Sequence, residues 1–477
     1  MSIYTETTNG ETAYKGTGSQ LVDLFFEIGA SRNAIESIVE KFDEACLVDA
    51  ETSAAVLLWA RDIRHNGAGE RKVFRALLRE LVVSDVTLAE KVVKLIPKIG
   101  RFDDLRAAIG TDVESVALEV WAQALRASDA IAFKWVNIKK DKKLRVHMEF
   151  ENEKDFRKFI VAGRKDTTVE EKMCNKKWTL IDYGKLPSVA SARYGNSFRK
   201  NDEDRYLEFI NDKDTTINAS AVFPHDVYRT YKYGNEKATA SKQWDNLPDL
   251  GVSGNILVMP DVSGSMLSTA SGQITCMDIS VSLGVHIAQQ CKGAFNGKML
   301  TFSENPTLIS LPKTKDIGKL FDFTERMEWG MSTNIQAAWR AILRDARKNN
   351  VKAEEMPTHI LIMSDMQFNQ GASDSYSGES TGKSLFGNNA TEKKFQTSYD
   401  KMKADFAAAG YEIPNIVYWN LNGGYGSKPA MAHANGIALV SGFSPNILKA
   451  IVAAEEFNPA NIMEDAIKPF REMLASV

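Results

Sequence analysis

The feature that most constrains this chain is the run Asn255-Ile256-Leu257-Val258-Met259-Pro260 and the loop that follows it, Asp261-Val262-Ser263-Gly264-Ser265-Met266. A near-continuous apolar run of this length reads as a strand covered on both faces, as in a parallel sheet. In open α/β sheets, ligands bind just beyond the carboxyl ends of the strands. There Asp261, Ser263 and Ser265 set hard oxygens at alternate positions, a donor set that suits a small hard cation such as Mg²⁺. Gly264 lets the backbone turn so that both hydroxyls can face one point.

Alone, an acid and two hydroxyls after a strand carry little weight, because Ser and Thr are common in helix caps. Two later segments strengthen the signal. Gly330-Met331-Ser332-Thr333-Asn334 precedes a helical pattern, and His359-Ile360-Leu361-Ile362-Met363-Ser364-Asp365 is a second apolar strand ending in an acid. In this order the three segments resemble the metal-ion-dependent adhesion site of von Willebrand factor A domains. The resemblance implies one divalent ion, Mg²⁺ or Mn²⁺, shared by Asp261, Ser263, Ser265, Thr333 and Asp365.

The chain of 477 residues is long enough for several cores, and its formal charge of -3 excludes a globally basic nucleic-acid binder. Residues 1–18 lack periodicity and read as a poorly ordered lead-in. Residues 19–249 read as a helical domain. Leu21, Leu24, Phe25 and Ile28 mark one face at helical spacing, with Gly29 as a stop. Further helical stretches are expected at 33–43, 51–64, 70–83, 88–95, 103–109 and 113–127. Amphipathic helices joined by short turns suggest antiparallel pairs stacked as a helical-repeat solenoid or ring. The four cysteines, Cys46, Cys174, Cys276 and Cys291, have no zinc spacing and fit buried thiols in a reducing compartment. The polar start has no signal-peptide pattern, and no apolar run reaches the ~20 residues of a membrane span, so a cytoplasmic protein is expected.

Residues 131–200 hold 18 Lys and Arg against 9 Asp and Glu, whereas residues 51–130 hold 12 of each, so the basic excess is local. Its densest run is Lys134, Lys139, Lys140, Lys142, Lys143 and Arg145. Trp135, Phe133, Phe156, Phe159, Trp178, Tyr183 and Tyr194 lie among or near these charges. Basic groups neutralise phosphates and aromatics stack on unpaired bases, so Lys134, Trp135, Lys139, Lys140, Lys142, Lys143 and Arg145 form a candidate RNA surface. The plainer alternative is a solvated basic face over core aromatics.

From residue 250 to 477 strands and helices alternate, which implies a mostly parallel, doubly wound sheet. Expected strands lie near 298–302, 308–311, 360–363, 415–419 and 437–440, and expected helices near 273–290, 334–347, 391–409, 447–454 and 462–474. A Gly/Ser-rich insertion at 371–389 reads as a mobile loop beside the Asp365 loop.

A helical solenoid followed by an A domain resembles the TROVE family, which includes the Ro ribonucleoprotein autoantigens, and more closely an uncharacterised TROVE-related family. The resemblance is carried by Trp59-Ala60-Arg61-Asp62-Ile63-Arg64 with Gly67-Ala68-Gly69-Glu70-Arg71, and by Ile99-Gly100-Arg101-Phe102-Asp103-Asp104-Leu105. Pro187-Ser188-Val189-Ala190 with Tyr194 also fits. So do Tyr411-Glu412-Ile413-Pro414, Val417-Tyr418-Trp419-Asn420-Leu421 and Leu439-Val440-Ser441-Gly442-Phe443. It implies a HEAT-like ring that holds small structured RNA outside and single-stranded RNA ends inside, closed by the A domain.

Neither a phosphate-binding P-loop, nor a dinucleotide-binding glycine motif, nor a nucleophile elbow occurs. His65 sits in a turn, His286 falls mid-helix, and Asp103/Asp104 fit the first turn of a helix. The leading expectation is therefore a non-enzymatic RNA scaffold or chaperone with a metal-bearing A domain. The alternative is a protein-interaction module whose ion binds a partner's carboxylate. A metal-dependent phosphoryl-transfer enzyme ranks third, because no base or second metal is in evidence.

Overall fold

The computed structural model describes residues 4–6, 12–164, 168–234, 236–250, 255–301, 306–326, 335–367, 402–423, 428–454 and 456–477. A helical region precedes an α/β region with a mixed sheet. Two compact units divide the chain, one of residues 1–34 and 249–465, the other of residues 35–248 and 466–477. Among the described residues no helix is long and apolar enough to cross a membrane.

In the first unit the strands are β1 (Tyr4–Glu6), β2 (Thr12–Tyr14), β3 (Ile256–Pro260), β4 (Thr269–Ser271), β5 (Ile274–Thr275), β6 (Lys298–Leu300), β7 (Leu308–Ser310), β8 (His359–Ser364), β9 (Asn415–Asn420) and β10 (Ile437–Ser441). Six of them form one sheet in the order β10-β9-β8-β3-β6-β7. All neighbours pair parallel except β6 and β7. Every residue of β3 is buried because both faces are covered. Leu257 and Met259 pack with Trp339 and Ile342 of helix Ile335–Lys348. Gly284 of helix Cys276–Gln290 meets Pro260 and Met363. The strand order reverses between β3 and β8, the switch point where open α/β sheets leave a crevice.

The lead-in reading needs correction at residues 12–18, and residues 19–34 group with the α/β unit rather than with the helical domain; residues 1–3 and 7–11 lie outside the described residues. Tyr14 and Lys428 exchange backbone hydrogen bonds at 2.9 and 2.8 Å. Helix Gln20–Ile28 buries Val22, Leu24, Phe25, Phe26 and Ile28. Ser441 Oγ at the end of β10 accepts from the Gly29 amide at 3.0 Å and donates to the Phe25 carbonyl at 3.1 Å. Glu27 and Lys428 form a fully buried ion pair. A Cβ on Gly29 would stand 2.6 Å from the Ser441 carbonyl oxygen, so only glycine fits there. The apolar stripe read from the sequence is real, and what it covers is the sheet's β10 edge.

The second unit is helical. Its first helices are Ile35–Val48, Ala50–Arg61, Arg71–Ser84, Val86–Ile99 and Glu114–Arg126. Asp49 and Asp85 cap two of them through Thr52 and Leu88 amides at 2.9 Å. Residues Phe102–Ala108, expected as an ordinary helix, form a tighter 3₁₀ turn. The C-terminal helix Pro459–Ala475 runs from one unit into the other. All four thiols are free; Cys276 and Cys291 are buried, Cys46 is half-buried and Cys174 is exposed.

Candidate functional sites

Asp261 and Asp365 stand one residue beyond the ends of β3 and β8, at the switch point. The pairing of these strands places them together, and the Asp261 amide continues the ladder to the Met363 carbonyl at 2.9 Å. Both carboxylates are buried. Asp261 Oδ1 accepts from the Ser263 amide at 2.8 Å, and Oδ2 accepts from the Ser364 hydroxyl at 2.5 Å. The Ser263 and Ser265 hydroxyls converge at 3.1 Å, as the alternate spacing predicts. Asp365 Oδ1 accepts from the Gln367 amide at 3.2 Å, while its buried Oδ2 has no hydrogen-bond partner among the described residues.

Burial pushes the Asp261 carboxyl up to about 6, with the Asp365 charge adding to the rise and hydrogen bonds from Ser364 and Ser263 opposing it. Burial also raises Asp365, against the Gln367 amide and the Ser265 hydroxyl. Two buried acids with one orphaned oxygen are costly unless a cation or proton compensates them. A small divalent cation fits this donor set of carboxylates and hydroxyls, and Asp261, Ser263, Ser265 and Asp365 are the residues that would hold it. Among the described residues no cluster of three or more His, Cys, Asp or Glu is placed to hold a metal, so hydroxyls must complete the set. Thr333 and the insertion at 371–389 lie outside the described residues.

Two participants escaped the sequence reading. Ser364, the last residue of β8, holds Asp261, and its place immediately before Asp365 was the available signal. Cys276, at the start of helix Cys276–Gln290, has its thiol pushed up to about 11 by burial, with the Asp365 and Asp261 charges contributing.

In the helical unit the basic run divides in two. Lys139, Lys140 and Lys142 are exposed, and their side chains enter no ion pair among the described residues. The others are engaged. Lys134 pairs with Glu170 at 3.4 Å and Lys143 with Glu114 at 2.6 Å. Arg145 donates to the Phe150 and Glu151 carbonyls at 3.0 Å. Phe133 and Phe156 are core residues, and Phe159 stacks on Phe133 and Phe150. Trp135 is half-buried beneath the Arg101 guanidinium, 3.6 Å from its ring centroid. The aromatics of this segment serve mainly as packing.

Asp103 and Asp104, which read as helix-start acids, are the hubs of an arginine network. Arg61, 2% exposed, pairs with Asp104 at 2.6 Å, and Arg75 bridges Asp104 at 2.7 Å and Asp103 at 2.9 Å. Arg101 meets Asp103 at 2.7 Å, while Arg106 lies 4.0 Å from Asp103 and 2.8 Å from Asp141. His65 caps Asp62, Nδ1 to Oδ1 at 2.9 Å.

With both sites in place, the chain is an α/β unit with a carboxylate pair at its switch point, joined to a helical unit with a basic face. The comparisons divide it at the same joint. A family model described as a domain of unknown function (DUF2828) matches residues 92–250, and a second, also a domain of unknown function (DUF7788), matches residues 255–471. The chain is also similar to "Uncharacterized protein L728" of Acanthamoeba polyphaga mimivirus, 25% identical over 533 residues, spanning 98% of this chain and 88% of that protein.

Proposed function

We propose that this is a Ro-like RNA-binding protein, in which the helical unit scaffolds or chaperones small or single-stranded RNA and the α/β unit carries a divalent-ion site. The reading is one of binding rather than catalysis, and it takes the α/β unit as an A domain and the helices as HEAT-like repeats. The observation that carries it is the exposed trio Lys139, Lys140 and Lys142, which enter no ion pair among the described residues, in a run whose other cations, Lys134, Lys143 and Arg145, are internally matched. Free lysines at a surface are available to displace counterions from a phosphate backbone. Replacing all three with Gln is expected to flatten the slope of log affinity against log salt by roughly 2 units for a single-stranded RNA. An unchanged slope would leave these lysines as a solvated face.

A second reading rests on the orphaned Asp365 oxygen. An ion held by two carboxylates and neutral hydroxyls keeps an attraction for a further acceptor, which a partner protein's carboxylate could supply. Asp261→Ala is expected to abolish Mg²⁺ or Mn²⁺ binding in titration calorimetry, and retained binding would refute the ion site itself.

A further inference from the structure

Arg71 is the first residue of helix Arg71–Ser84, and Arg75 follows one turn later on the same face. Like charges at this spacing repel, and the positive end of a helix dipole adds to the cost. Glu70, at the cap position, makes no side-chain cap hydrogen bond, and no acid occupies the first turn. The neighbouring aspartates, Asp103 and Asp104, relieve this only in part. Arg61, Arg75, Arg101 and Arg106 already share Asp103, Asp104 and Asp141, four guanidiniums against three carboxylates. Arg71 is a fifth, and among the described residues it makes no hydrogen bond or ion pair of its own. Its side chain is exposed; partial burial of the guanidinium, and after it the charges of Arg101 and Arg75, hold it below the ordinary arginine range, with Asp103 and Asp104 opposing the shift.

We infer that Arg71, Arg75 and Arg101 form a phosphate-anion subsite, occupied by the backbone of single-stranded RNA. This rests on the RNA-binding reading and deepens it. Arg75 and Arg101 give their Nε–Nη2 edges to the two aspartates, which fixes both guanidinium planes before a ligand arrives and leaves their Nη1 groups as the donors for it. Trp135 lies beneath the Arg101 guanidinium, so the half-buried indole belongs to the same cluster. A phosphodiester there would neutralise the excess charge, and an adjacent unpaired base could stack. The lysine trio lies on a different segment, so the two surfaces are separable by mutation.

The test uses the full chain, fluorescein-labelled oligouridylate and anisotropy across a salt series, with inorganic tripolyphosphate as the second ligand. Arg71→Gln is expected to weaken RNA binding roughly fourfold near 0.15 M salt and to flatten the salt slope by about 0.7. Arg71→Lys should restore most of both, because a point charge still meets phosphate. The melting temperature of Arg71→Gln should hold or rise, since a repulsive contact is removed. Tripolyphosphate should compete with the RNA and stabilise the parent protein but not Arg71→Gln. If the parent binds RNA and Arg71→Gln matches it in affinity and slope, the subsite is refuted while the RNA reading stands. If the parent binds no RNA, the RNA occupant is refuted; a tripolyphosphate shift lost in Arg71→Gln would then support the anion site alone, and no shift would refute it.

Discussion

The two units handle buried charge in opposite ways. In the α/β unit, Asp261 and Asp365 are brought together with no cationic partner, and one oxygen unpaired, among the described residues. In the helical unit, Asp103 and Asp104 are buried just as deeply but are wrapped by arginines in excess. The same residue type therefore forms an uncompensated acid pair in one place and the hub of an arginine cluster in the other. What differs is the backbone that presents it. Loops after parallel strands converge on one point from two strands, whereas successive helices bring long side chains in from several sides. The sign of the uncompensated charge, more than the residue type, says what each unit is suited to bind.

The largest expected effect removes the α/β unit's first segment. Deleting residues 1–34 uncovers the surface that buries Val22, Leu24, Phe25, Phe26 and Ile28, each worth about 1.5–3 kcal/mol. The α/β transition should vanish from calorimetry, and a protease-resistant helical fragment should remain. Survival of both transitions would show that this segment is not integral to the sheet.

Next come two aspartate substitutions of opposite sign. Asp104→Asn strips the buried Arg61 of its counter-charge and should destabilise the helical unit by about 3–5 kcal/mol in urea unfolding. Asp261→Asn should do the reverse in metal-free protein at pH 7. Folding raises the Asp261 carboxyl from 3.8 to about 6, so the native state binds its proton more tightly than the unfolded chain. That contribution is present at low pH and is lost as pH rises through about 6. Metal-free protein should therefore gain stability on acidification from pH 7, and an amide in place of the carboxylate should recover up to about 3 kcal/mol. Added Mg²⁺ should stabilise the parent and leave Asp261→Asn unchanged. A metal-free Asp261→Asn protein less stable than the parent would mean that the buried acid is a structural anchor, like Asp104.

How much was legible depended on how local the signal was. The apolar runs Ile256–Pro260 in β3 and 360–363 in β8 announced a covered parallel sheet because both faces of these strands are buried. The hydroxyl spacing at Ser263 and Ser265 was equally local. The partner of Lys143 was invisible, because Glu114 meets it only through helix packing. Asp103 and Asp104 look like ordinary helix-start acids in sequence, and their role as hubs needs Arg61 and Arg75 from two other helices. Helix Gln20–Ile28 was read correctly as a helix with one apolar face and assigned to the wrong unit. Nothing within its own residues says which sheet covers that face.

The seat of that helix has a temporal consequence. Gly29 and Ser441 are 412 positions apart in the chain. At synthesis rates of roughly 5–20 residues per second, the helix leaves the ribosome about 20–80 s before its docking edge exists. During that wait Phe25 and Phe26 lack their β10 docking edge, and the nascent chain carries an unprotected apolar segment. Production of this protein should therefore depend on holdase chaperones at the ribosome, and ribosome-bound chains halted before β10 should be cleaved readily near residue 25.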